Sequence, residues 1–141
     1  MHRFRVRLAV LAALLVATAG CTSDSGVTEP PPTTTAQSVF NGTLTLNGAQ
    51  TFPFTVTGIG SINGQIISLT PNPDLLIGLS LGTWNGSICQ IVLANDAANQ
   101  GDVVVGSTQT PGDFCIRVYD AAGNVTQPHD FVVEVTYQVA R

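Results

Sequence analysis

The sequence predicts an all-β domain, a two-sheet antiparallel sandwich of about eight strands. Three observations carry this expectation. The chain is apolar yet sparsely charged, with 44% hydrophobic and 10% charged residues, and its Thr and Val suit strands. Apolar and polar residues alternate with period two in a series of short runs. Between those runs stand turn signals such as Asn47-Gly48, Pro71-Asn72-Pro73 and Asn85-Gly86, whose residues tolerate or impose turn backbone angles. No stretch of useful length has a helical period. Ile91–Asn99 comes nearest, and its Val92 and Leu93 suit a strand as well.

The first element is a targeting segment, residues 1–20. Met1–Arg7 holds three arginines, Leu8–Ala19 is twelve uncharged and mainly apolar residues, and Ala19 and Gly20 are small. Twelve residues as a helix reach about 18 Å, short of a bilayer core of about 30 Å, so the segment reads as a secretory signal. Ala17-Thr18-Ala19-Gly20-Cys21 resembles the lipobox of bacterial lipoproteins, with Thr18 where Leu or Val is usual. The resemblance implies cleavage before Cys21, a lipidated thiol, and an amino terminus acylated by a fatty acid such as palmitate. It places the protein in the bacterial cell envelope, in the outer membrane if the host is Gram-negative. An ordinary signal peptide that leaves Cys21 free is the plainer alternative. Of the three cysteines, two can pair within the domain and the odd one stands at the lipobox.

A tether over residues 21–37 follows. It carries one large aliphatic residue, Val27, and the run Pro30–Pro32, too little apolar surface to fold. The sandwich is expected over residues 38–141. Phe40–Leu46 and Thr51–Thr57 flank Asn47-Gly48, a hairpin signal. Pro53 lacks an amide donor and puts the second strand at a sheet edge. Gln65–Thr70 forms the third strand. Leu75, Ile77, Leu79 and Leu81 form one face of the fourth, with Gly78, Ser80 and Gly82 on the other. Ser87–Leu93, Asp102–Thr108, Gly112–Tyr119 and Asp130–Val139 complete the set. The expected core holds Phe54, Val56, Ile67, Leu79, Leu81, Phe114, Ile116, Val118, Val133 and Val135.

Cys89 and Cys115 fall in two of these strands, and export to an oxidising compartment predicts a disulfide between them. Alternation sets Cys115 on the face opposite Phe114, Ile116 and Val118, so the bond should staple the outer face of a sheet. A metal or redox pair would need closer ligands, such as Cys-x-x-Cys, and none occurs.

The run Pro111-Gly112-Asp113-Phe114-Cys115-Ile116-Arg117-Val118-Tyr119-Asp120 resembles the late strand of bacterial pre-peptidase C-terminal (PPC) domains. Asp74-Leu75-Leu76-Ile77-Gly78-Leu79-Ser80-Leu81 is similar to that family's Asp-Leu-x-Leu strand, and Phe131–Tyr137 fits its closing strand. The resemblance covers most of residues 40–138. It implies a jelly-roll-like sandwich without catalytic activity of its own. In that family the domain stands behind a secreted peptidase, whereas here a targeting segment and a tether precede it.

Charge narrows the function classes. All five basic residues are arginines, against nine acids, a formal net charge of −4. Loss of residues 1–20 removes three arginines and leaves two cations against nine anions, a net of −7. Such a chain lacks the Lys/Arg contacts that nucleic acid requires and any polybasic hold on anionic lipid. The expected partners are the membrane, through a lipid anchor, and an envelope protein or glycan.

Several residues invite chemistry. Gly78-Leu79-Ser80-Leu81-Gly82 matches the Gly-x-Ser-x-Gly nucleophile pattern, and His129 follows in hydrolase order. The nucleophile elbow needs a strand, a strained turn and a helix, whereas Ser80 sits inside an alternating strand. Ser80 is therefore expected to face solvent, His129 to be a surface loop residue, and the protein not to be an enzyme. Asp96, Asn99 and Asp102 form one group of oxygen ligands. Asp120 and Asn124, with Asp113 or Asp130, form another. Calcium takes six to eight such oxygens, but turns use the same residues, and turn chemistry is the expected role. Trp84 either offers a stacking face to a sugar or partner, or caps one end of the sandwich.

Overall fold

The computed structural model describes residues 29–141. The targeting segment, Cys21 and most of the tether lie outside the described residues. Eight strands follow in order: β1 (Thr33–Leu44), β2 (Ala49–Val56), β3 (Gly60–Thr70), β4 (Ile77–Trp84), β5 (Cys89–Ala98), β6 (Val103–Thr108), β7 (Gly112–Tyr119) and β8 (His129–Ala140). They form two antiparallel sheets of four, in the orders β1-β8-β3-β6 and β2-β7-β4-β5. Apart from the β4–β5 hairpin, every connection crosses from one sheet to the other, which is the winding of a jelly roll.

That winding corrects the expectation at Asn47-Gly48. The tight turn is there, with Asn47 at φ 54° and the Gly48 amide donating to the Thr45 carbonyl at 2.8 Å. The strands it joins do not pair: β1 pairs with β8 and β2 with β7. Turn chemistry fixes the local reversal, while burial of two apolar faces decides which sheet each strand enters. The Pro53 argument holds, since β2 is an edge strand.

The domain starts at Thr33, five residues before the expected Ser38. Thr33–Gln37 extend β1 against Thr136–Ala140, and the Arg141 amide donates to the Pro32 carbonyl at 3.1 Å. Three β-branched threonines accept a strand readily once a long β8 offers partners.

The core lies between the sheets. Phe131 is its largest fully buried side chain, set edge-on to Phe52, which stacks on Phe40 at 5.0 Å. Val56, Ile62, Ile66, Leu69, Leu79, Ile116 and Val133 fill the layer around it. Ile67, expected inside, is 43% exposed. A register shift between Ile66 and Ser68 turns it outward and brings Leu69 in, the ordinary effect of a β-bulge on alternation. Phe114 is only half-buried, at the rim beside Phe54.

One turn is clasped by a carboxylate. Asp120 accepts backbone amides of Asn47, Asn124 and Val125, tying the β1–β2 turn to the β7–β8 loop. Burial pushes its carboxyl up, but these amides and that of Gly123 outweigh burial and hold it below the ordinary 3.8.

Candidate functional site

Strand β4 carries the Gly-x-Ser-x-Gly pattern, and from Ile77 to Gly82 it is buried on both faces. Ile77, Leu79 and Leu81 face the core. Gly78, Ser80 and Gly82 face away from it, under a second cover. A Cβ added at Gly78 would lie 2.3 Å from the Tyr119 ring, so that ring lies flat against the strand. At Gly82 a Cβ would lie 2.2 Å from the Gln90 carbonyl oxygen. Glycine therefore lets the first residues of β5 lean over β4. That lean carries Cys89 across to Cys115 on β7, with Cα atoms 5.8 Å apart, and the disulfide closes there. As expected it lies opposite the side of β7 that bears Ile116 and Val118, although Cys115 is fully buried.

Ser80 is thus not a solvent-facing residue. It is fully buried, and its Oγ has no hydrogen-bond partner. Alternation alone predicts exposure. The cover over β4 comes in part from the Tyr119 ring of β7 and in part from the first residues of β5, which period-two reasoning within one strand does not see. Arg117 is the register partner of Ser80; its guanidinium lies 5.3 Å from the centre of the Tyr119 ring. The Tyr119 hydroxyl donates to Asp96. Burial, that hydrogen bond and the Asp96 charge push the Tyr119 phenol up to about 12, against a smaller opposing pull from Arg117. The folded state thus keeps a proton that the unfolded state releases near pH 10. The resulting stabilisation is complete below pH 10 and is lost as pH rises toward about 12. In a near-ultraviolet absorbance titration, Tyr119→Phe should remove a phenolate step near pH 12; an unchanged step would refute the assignment.

His129 also departs from expectation. It opens β8 on the inward face, 3% exposed, opposite Leu44. Its Nδ1 lies 2.8 Å from the Gln127 carbonyl oxygen, and its Nε2 has no partner. Ser80 points outward from one sheet and His129 inward from the other. The structure does not bring them together.

The oxygen-rich residues are spent on local contacts. Asp96 accepts from Tyr119, and Asp102 accepts the Asn99 amide at 2.9 Å. Asp120 is occupied by its amides, and the Asn124 side-chain amide reaches the Leu76 carbonyl at 3.5 Å. Asp113 and Asp130 accept from Thr55 and Thr43. Among the described residues no three His, Cys, Asp or Glu side chains gather as a metal site would require. Trp84 is half-buried at the end of β4, register partner of Cys89.

The open feature of the domain lies elsewhere, where β5 and β6, edge strands of opposite sheets, face each other. An apolar groove of about 310 Å³ opens there, with Ile62, Leu81, Val92, Leu93 and Phe114 in its lining and Ser107–Thr110 beside them. A Cβ at Gly106 would meet Leu81 at 2.8 Å and Leu93 at 3.2 Å, so glycine allows the two edges to close on each other. A more polar depression of about 400 Å³ on the outer face of the β1-β8-β3-β6 sheet is lined by Asn41, Thr43, Ser68, Thr70 and Asp130. Sequence reasoning missed the groove because it depends on which strands become edges. One signal was available: Gly86–Asn95 and Val103–Gly112 contain no charged residue.

No family model matches the chain, and no curated protein matches it.

Proposed function

We propose that the protein is a lipid-anchored lipoprotein of the bacterial envelope whose β-sandwich serves as a noncatalytic binding or assembly module. The observation that carries the anchor is the order of the first 21 residues: arginines, a short apolar run, small residues, then the odd cysteine. Acyl chains contribute about 0.8 kcal/mol per buried methylene, and more than one chain gives a stable hold without basic residues. Eleven residues, Thr22–Pro32, lie between that cysteine and β1.

The module reading is supported by the open β5–β6 groove, against a buried, separately placed Ser80 and His129. A PPC-like domain would share the jelly-roll winding and the absence of catalysis. Cys21→Ser should move the protein from the membrane to the soluble fraction, read by fractionation and immunoblot. Retention in the membrane fraction would overturn the anchor.

A further inference from the structure

We propose that Asn85, in the turn between β4 and β5, is a self-modification site, where the neighbouring Gly86 nitrogen and water convert the side-chain amide into aspartate and isoaspartate. The proposal is independent of the anchor and of the binding-module reading. The chain holds four Asn-Gly pairs, beginning at Asn41, Asn47, Asn63 and Asn85. Each is open to this chemistry in principle, because glycine puts no side chain in the way of its own amide nitrogen. Their folded environments single out one.

The reaction is an attack within the chain. The Gly86 nitrogen gives its proton to hydroxide and bonds to Cγ of Asn85. The Cγ–Nδ2 bond breaks, and Nδ2 takes up a proton and leaves as ammonia. Water then opens the cyclic imide at either of its carbonyls. One opening gives aspartate. The other gives isoaspartate, in which the main chain runs through Cβ and Cγ. Water enters, ammonia leaves, and nothing is oxidised or reduced. The attack requires a free nitrogen, a backbone able to leave extended geometry for the ring, and donors for the charge that grows on Oδ1.

Asn85 meets all three requirements. It and Gly86 are exposed and lie between the last rung of the hairpin, Trp84 with Cys89, and the tip of the turn. The Gly86 amide donates to no group among the described residues. A Cβ placed on Gly86 would find nothing within 4 Å, so the space around it is open. Oδ1 of Asn85 accepts the Ser87 amide at 3.0 Å and the Ile88 amide at 2.8 Å. These two donors draw electrons from Cγ, and they already face the oxygen that becomes negative as the nitrogen attacks, the arrangement of an oxyanion hole.

Each other pair lacks a requirement. The Gly48 amide is held by the Thr45 carbonyl at 2.8 Å, and the Gly48 carbonyl by the Asp120 amide at 2.9 Å. Asn63 and Gly64 sit in β3 with β6 on one side and β8 on the other, and Gly64 is buried. Asn41 and Gly42 belong to the β1–β8 ladder, and the Gln50 side chain lies over Gly42. Ladder pairing holds these two strands extended and opposes ring closure. At Asn85 the isoaspartate product lengthens the main chain in the turn that enters β5, next to the uncharged run Gly86–Asn95. Older copies of the protein would thus differ from new ones at that turn.

The test incubates the detergent-purified full chain at physiological temperature in mildly alkaline buffer. Samples are reduced, cut with chymotrypsin and read by mass spectrometry with electron-transfer fragmentation, which separates aspartate from isoaspartate. Asn85 should convert at least about tenfold faster than Asn41, Asn47 and Asn63. In urea with the disulfide reduced, the four pairs lose their different environments, so their rates should converge. Asn85 should then react no faster than in the folded chain, because its two donors are gone. Equal or faster conversion at another Asn-Gly pair in the folded chain would overturn the proposal. So would faster conversion of Asn85 in urea than in buffer, which would mean that the turn protects the amide instead of activating it.

Discussion

Replacing Cys89 and Cys115 together by alanine should lower the stability of the domain by about 3.5 kcal/mol and its melting temperature by about 15 °C. The bond joins residues 26 apart, and the loss reflects the freedom the unfolded chain regains when that loop is open. Cys115 is fully buried, so alanine also leaves a small void. The effect should be concentrated in β5. That strand is an edge, and its first residues lie over Gly82 because the disulfide holds them there. Hydrogen exchange should therefore show the Cys89–Leu93 amides losing protection before those of β7. A thermal melt unchanged by the double substitution would contradict this account.

Phe131→Ala should cost about 4 kcal/mol, the range for removing a buried aromatic ring. The ring meets Phe52 edge-on at 6.0 Å, and Gly42 gives it room, since a Cβ there would lie 2.9 Å from the ring tip. Collapse into the void is restricted because the facing backbone belongs to β1, held by its full ladder with β8. Val39→Ala in β1, at a position 56% exposed, should change stability by no more than about 0.5 kcal/mol. Urea denaturation of both variants gives the comparison, and equal midpoints would refute the packing assigned to Phe131.

Where a strand obeys simple alternation, its residues announce their places. Leu79, Leu81, Ile116, Val118, Val133 and Val135 all lie in the core as period two requires. Pro53 marked an edge, and the two late cysteines marked a crosslink. The misplacements have physical causes beyond the reach of one strand's pattern. Ile67 is turned out by a bulge. Asn47-Gly48 reverses the chain without choosing a sheet. Thr33–Gln37 read as tether because their apolar content is low, yet twelve backbone pairings with β8 order the strand. Ser80 and His129 both read as exposed, and both are buried by neighbours contributed from elsewhere in the chain. The groove was least legible, because it belongs to two strand edges from different sheets.

The pairing of Thr33 with Ala140 brings both ends of the domain out side by side. Mechanical load therefore depends on where the opposing grip lies. A pull on residue 33 against a grip on residue 141 would peel β1 from β8 one rung at a time, at low force. A pull on residue 33 against a grip on residue 129, at the opposite end of the ladder, would instead load its twelve rungs in shear, all at once. The same strand pair is thus weak as a zipper and strong as a strap. A protein tethered at residue 33 and held at the end of the sandwich where Leu44 faces His129 would be loaded in the strong direction.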